Sequence, residues 1–277
     1  FFAVGAGDRI VGVLAYSDFP KQAQAIARVG SHNTVNYELI TSLAPALVVV
    51  WYSGVGGDVI EKLVDIGLTV YAAEPKTLSD ISQQLRVFGA LTGQSSQASQ
   101  QANLFTQKHE DLKQRFANAA PVPVFYQVWH EPLQTLNSAH VVSDVISLCG
   151  GRNVFGHLPE LAPRLSIESV IAANPAVILA ADNGAEKSNW LARWRRWPMI
   201  DAVARQQLYV VSPDTLVRHT PRILIGAEKV CEFQQRTLDE HRTNHDVLNA
   251  KRGQMVELDR LEKDYTMLME NAKVQEV

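Results

Sequence analysis

The chain has 277 residues, 46% hydrophobic and 20% charged, a globular composition that excludes disorder. It holds no run near the ~18 apolar residues of a membrane-spanning helix. A formal charge of −3 argues against nucleic acid or an anionic membrane as partner, since either needs clustered basic residues.

In chain order, the first residues, Phe-Phe-Ala-Val-Gly-Ala-Gly-Asp, read as the last turns of a helix closed by glycine, so the chain opens inside a domain. Leu47–Trp51 is an apolar run suited to a buried parallel strand. A helix follows over Asp58–Ile66, stopped by Gly67, and Leu68–Tyr71 is the next strand. Thr77-x-x-Asp80 is a capping box that opens a helix to about Leu91. Residues 94–118, without Pro or Gly, predict one long helix of roughly 35 Å. Strand Val122–Val128, helix Ala139–Cys149, helix Ile167–Ala173, strand Ala176–Ala180, helix Glu186–Arg195 and strand Gln207–Val211 come next. Thr220 and Pro221 read as an N-cap and first helical position. Residues 236–277 carry 16 of the 55 charged side chains, with apolar residues at helical spacing (Leu258, Leu261, Tyr265, Leu268). Backward extrapolation of that spacing meets Gln254 and Lys251, so an exposed helix or helix pair is expected rather than a long coiled coil.

An internal repeat sets the architecture. Glu38 to Val50 and Glu168 to Ala180 share an acidic start, a short amphipathic helix, a terminating proline (Pro45, Pro175) and a buried strand. The predicted fold is α/β: two Rossmann-like lobes with parallel sheets, joined by a long rigid helix, with a ligand cleft between them. The divisions are 1–93 for the first lobe, 94–119 for the interlobe helix, 120–235 for the second lobe and 236–277 for a charged helical tail. The two cysteines, Cys149 and Cys231, lack metal or redox spacing. Two buried thiols and a single bridge both fit.

Four segments carry a family resemblance: Val11–Pro20 with its Tyr-Ser-Asp-Phe-Pro, Leu43–Trp51, Leu148–Phe155 with its Cys-Gly-Gly-Arg-Asn, and Arg218-His-Thr-Pro-Arg222. Over 1–235 the chain resembles the periplasmic cobalamin-binding proteins, helical-backbone solute-binding proteins of ABC importers. The resemblance implies a binding protein rather than an enzyme, with cobalamin as transported ligand and no cofactor or metal. It implies a periplasmic location and a disulfide between Cys149 and Cys231. It also places the family's first strand and a ligand-touching loop before Phe1. The tail has no counterpart in the family.

A corrinoid is a flat, amide-fringed macrocycle, and its pocket needs broad aromatic faces with a few hydrogen-bonding groups. Tyr16 and Trp51 match cleft positions of the family, although a strand-end tryptophan or a lone tyrosine also serves as ordinary packing. Tyr71 stands beside the family's tryptophan position, which falls at Ala72. Asp214 matches a contact residue, and Arg218 lies four residues on. Trp190, Trp194 and Trp197 form a helix face that either packs on its own lobe or supplies one cleft aromatic, for which Trp194 is chosen. Stacking of RNA on that face, with Arg193, Arg195 and Arg196 interleaved, is disfavoured by the acidic balance. Trp129 is a further cleft candidate.

The resemblance implies one carboxylate per lobe facing arginines of the importer's membrane subunits, a peripheral contact. On the first lobe the motif position is Gly57, so Asp58 and Glu61 are the candidates; on the second, Glu186 or Asp201. The chain lacks G-x-S-x-G, a P-loop and H-E-x-x-H, and His241 and His245, its one i, i+4 histidine pair, lie in the charged tail. The reading is therefore capture of cobalamin by a monomer (unless the tail associates) and delivery to an ABC importer. The alternatives are the same fold binding haem or a ferric siderophore, and a metal-dependent enzyme or scaffold built around the tail.

Overall fold

A computed structural model describes residues 1–31, 34–117, 120–181 and 190–274. The first lobe contains β1 (Gly12–Leu14), β2 (Ala27–Gly30), α1 (Tyr37–Ser42), β3 (Val48–Trp51), α2 (Tyr52–Val55), α3 (Gly57–Asp65), β4 (Val70–Ala73) and α4 (Leu78–Leu91). Helix α5 (Ser95–Phe116) leads to the second lobe, with β5 (Val122–Gln127), β6 (Trp129–His130), β7 (Leu133–Gln134), α6 (Val141–Leu148), β8 (Gly151–Asn153), α7 (Ile167–Ala173), β9 (Val177–Ala181), α8 (Trp190–Trp194), α9 (Asp201–Ala204), β10 (Leu208–Val211), α10 (Pro213–Leu216) and α11 (Ile223–Val274).

In the second lobe β10, β9, β5 and β8 form one parallel sheet in that order. Every residue of β9 is buried, because helices cover both faces of a parallel sheet. The first lobe has two parallel pairs, β1 with β2 and β3 with β4, whose residues are mostly half-buried.

The repeat read from the sequence is a repeat of local geometry. Helix α1 is capped by Asn36, whose side chain accepts the Leu39 amide, and α7 by Ser166, which accepts that of Ser169. After each helix a left-handed residue stands just before the proline, Ala44 at φ 45° and Asn174 at φ 40°. The chain then enters a strand, β3 in one lobe and β9 in the other.

The Thr77–Asp80 capping box is complete, with both reciprocal bonds made. The first residues form a 3-10 turn over Phe2–Val4, closed by Gly5 in the left-handed region. Phe1 stacks on Phe88 of α4 at 4.5 Å. At 22 residues, α5 spans about 33 Å with neither Pro nor Gly to bend it. It packs on α4, where a Cβ on Gly89 would stand 2.1 Å from that of Ala98. Only glycine permits this approach.

Two local expectations need correction. Thr220 does not cap a helix with its side chain: α11 begins at Ile223, after a turn in which the Ile223 amide donates to the Thr220 carbonyl. The Thr220 hydroxyl is left buried without a hydrogen-bond partner among the described residues. The residues from 236 onward form neither a helix pair nor a fresh start, because α11 is one helix of 52 residues. Thr237 is fully buried and donates to Gln207 at 2.8 Å, and Glu240 accepts from the same glutamine. Packing on the second lobe thus continues past the change in composition.

Cys149, which caps α6, and Cys231 of α11 form a disulfide across 82 residues of chain. Closing a loop of that length removes about 4.5 kcal/mol of denatured-chain entropy on the chain-entropy account. The bond fastens α11 to the second lobe, and α11 follows directly on the cleft segment Arg218–Arg222.

Candidate ligand-binding cleft

Strand β3 points its carboxyl end at the second lobe, and its last residue is Trp51, 36% exposed. The indole is seated by its neighbours. A Cβ on Gly54 would lie 2.3 Å from the ring, so the first turn of α2 must be glycine there. The carboxylate of Glu74 secures the same turn by accepting both the amide and the hydroxyl of Ser53, each at 2.8 Å. Across the cleft, Trp51 meets two histidines of the second lobe: His219 at 5.2 Å and His140, edge-on, at 6.3 Å between centroids. The two imidazoles are themselves 5.2 Å apart.

A second bridge runs from the Tyr16–Pro20 segment that follows β1. Arg218 donates through Nη1 to Asp18 Oδ1 at 2.6 Å and to the Tyr16 carbonyl at 3.2 Å. Its Nη2 reaches Asp214 Oδ1 at 2.7 Å, a contact that one helical turn of spacing makes natural. The Arg222 guanidinium lies 4.0 Å from the centroid of the Phe19 ring, within cation–π range. Tyr16 and Phe19 are both largely exposed.

The electrostatics follow from these contacts. The hydrogen bond from Arg218 holds the Asp18 carboxyl below its usual range, against a smaller opposing effect of burial. Burial, aided by nearby His219, pushes His140 down to about 3. Burial also lowers His219, although the Glu74 carboxylate pulls the other way. Both imidazoles are neutral at neutral pH.

The expected site residues fall into two groups. Tyr16, Trp51, Asp214 and Arg218 gather at the cleft, and Trp129, half-exposed, lies two residues beyond the carboxyl end of β5. Trp194 does not join them and the expectation is corrected: it is 2% exposed. Its Nε1 donates to Gln127 at 2.8 Å and its ring packs edge-on against Phe125, so it is core of the second lobe. Tyr71 is corrected in part. Strand β4 runs on to Ala73, which leaves Tyr71 mid-strand. Its hydroxyl is bonded to Gln84 and its ring is set edge-on to Phe88, contacts of a packed tyrosine. Asp58 and Glu61 are exposed on α3, Asp201 opens α9 half-buried, and Glu186 lies outside the described residues.

Sequence reading missed His140, His219, Asp18, Phe19 and Arg222 as individual site residues. All but His140 lie inside two of the four segments that carry the family resemblance, Val11–Pro20 and Arg218–Arg222, and this was the available signal. A separate groove of about 990 Å³ lies between Arg115 and Phe116 of α5 and residues Glu232 to Thr243 of α11. Its lining is mainly charged and polar, unlike the aromatic cleft. Among the described residues no group of three or more His, Cys, Asp or Glu is placed to hold a metal ion.

A family model described as "periplasmic binding protein" matches residues 1–215. The vitamin B12-binding protein of Vibrio cholerae is 34% identical over 233 residues, covering 84% of this chain and 83% of its own. The crystal structure of the periplasmic vitamin B12-binding protein BtuF of Vibrio cholerae superposes with a TM-score of 0.78 at 34% identity, over 85% of this chain and 92% of that one. The periplasmic heme-binding protein RhuT from Roseiflexus sp. RS-1, at 22% identity and a TM-score of 0.73 over 86% of this chain and 94% of that one, shares the fold. By the family match and the identity together, the chain belongs to the periplasmic binding protein family.

Proposed function

We propose that the protein captures cobalamin, or a closely related corrinoid, between its two lobes in the periplasm and delivers it to an ABC importer. One observation carries the reading. In a chain 34% identical to a vitamin B12-binding protein, the exposed aromatics Tyr16 and Trp51 stand across the cleft from the Arg218–Asp214 pair. Trp51 offers a face on which a corrin ring stacks, and Tyr16 offers a second aromatic surface. Arg218 and Asp214 offer donors and an acceptor for the peripheral amides, and Trp129 extends the wall on the second lobe. Tyr71 takes part from behind, as support for the first-lobe wall.

Binding here is positioning rather than catalysis, and the macrocycle and its side chains leave the site unchanged. The continuous α5 favours a small change of lobe angle over wide hinge closure, because a helix without Pro or Gly resists bending. The disulfide supports an oxidising compartment. Asp58 and Glu61, exposed on α3, are proposed to meet arginines of the importer, setting orientation and association rate more than affinity.

The test is equilibrium dialysis of the full chain against cyanocobalamin, haemin and a ferric siderophore in parallel. Retention of cyanocobalamin alone, at one equivalent, is the expected result. Preferential retention of haemin or the siderophore would transfer the site to that ligand.

A further inference from the structure

Two histidines flank the cleft tryptophan, and the described contacts make them unequal. His140 is committed. It is 3% exposed, and its Nδ1 accepts the Val142 amide at 3.2 Å as the cap of α6. That bond fixes the ring and occupies its lone pair. His219 is half-buried, and among the described residues neither of its nitrogens has a hydrogen-bond partner. Its ring is held only by contact, with Trp51 on one side and His140 on the other, each at 5.2 Å.

Glu74, the anion whose charge acts on His219, is already bonded twice to Ser53, so it does not claim the His219 ring. A neutral imidazole with an unengaged nitrogen is the protein's commonest metal donor. A macrocycle that lies on the indole comes within reach of His219, whose ring centroid is 5.2 Å from that of Trp51.

We propose that His219 supplies an axial imidazole nitrogen to the cobalt of a bound corrinoid whose upper position carries an exchangeable water. This inference rests on the corrinoid reading above. In the exchange the Co–O bond to water breaks, the imidazole lone pair forms a Co–N bond and the water leaves. Cobalt stays trivalent and no proton moves, because the imidazole enters neutral. His219 thereby favours corrinoids with a labile upper ligand over those with a firmly bound one.

The test compares aquocobalamin with cyanocobalamin on the full chain near pH 7, by visible absorption and calorimetry. Wild-type protein is expected to shift the main aquocobalamin bands to longer wavelength, as replacement of water by imidazole does, saturating at one equivalent. Cyanocobalamin is expected to bind with its spectrum essentially unchanged. In H219A the shift is lost, and affinity falls at least about tenfold more for aquocobalamin than for cyanocobalamin; H140N keeps the shift. Should H219A fail to fold, H219Q, which retains bulk against Trp51, takes its place. An unshifted aquocobalamin spectrum on wild-type protein that binds cyanocobalamin overturns the role of His219 and leaves the corrinoid reading standing. A shift that survives in H219A and H219Q does the same. Failure to bind either cobalamin overturns both.

Discussion

Arg218 of the second lobe holds Asp18 of the first at 2.6 Å, and with its other arm holds Asp214 of its own lobe at 2.7 Å. The same guanidinium that is proposed to meet the ligand therefore bridges the lobes, and a macrocycle entering the cleft must share or displace Asp18. The pair is partly exposed, 33% for Arg218 and 50% for Asp18, so its worth is about 1 kcal/mol or less. A double-mutant cycle with D18N and R218A, read by thermal unfolding, should give a coupling of that size. Because Arg218 depresses the Asp18 pKa, the link is complete above the ordinary carboxylate value near 4. It is lost only as pH falls through the lowered value. Coupling that vanishes between pH 8 and pH 6 would contradict this.

Gly54 controls Trp51 at a distance from the ligand. Its Cβ would sit 2.3 Å from the indole, so G54A must push the ring out of place while adding only one methyl group to an exposed turn. Cyanocobalamin affinity should fall about three- to tenfold, in the direction of W51A, with far-UV circular dichroism unchanged. Wild-type affinity in G54A would show that the ring position is not what matters.

Trp194 should behave as core. W194F deletes the indole N–H that satisfies Gln127, itself 3% exposed, and strands a buried carbonyl at a cost of about 1–3 kcal/mol. The expected melting temperature is lower by roughly 3–10 °C, with ligand affinity of the folded fraction within about twofold of wild type. A large loss of affinity without loss of stability would return Trp194 to the cleft.

His140 predicts acid lability. Burial and His219 hold its imidazole down to about 3, whereas the unfolded side chain titrates near 6.5. Between these values the unfolded chain takes up a proton that the folded chain refuses. Stability is therefore full above about pH 6.5 and falls as pH drops, by at most ~1.4 kcal/mol per pH unit. H140N retains an acceptor for the Val142 amide and removes the titration. Its urea midpoint should fall less steeply between about pH 6.5 and 4.5 than that of wild type, and an equal slope would contradict the assignment.

Much of this was legible in the chain because it is local. A proline after a short amphipathic helix marks both halves of the repeat, and Thr77 three residues before Asp80 states a cap. Trp51 closes an apolar run, so its place at a strand's carboxyl end follows from the run itself. What was not legible depends on tertiary neighbours. The spacing of Trp190, Trp194 and Trp197 gives a helix face but not what it faces, and Phe125 and Gln127 had already claimed Trp194. Tyr71 reads as terminal because the alanines after it carry little strand signal, yet β4 continues through them beside β3. His140 and His219 share no spacing, and only the meeting of the lobes places both against Trp51. The tail's composition changes at about residue 236, but α11 does not break there, since Thr237 and Glu240 are bonded to Gln207.

Calorimetric titration of the full chain with cyanocobalamin, wild type beside W51A, tests the central claim most directly. The account predicts one-to-one binding with submicromolar affinity in wild type, weakened at least about tenfold in W51A. No binding at any accessible concentration, or equal binding by both proteins, would contradict it.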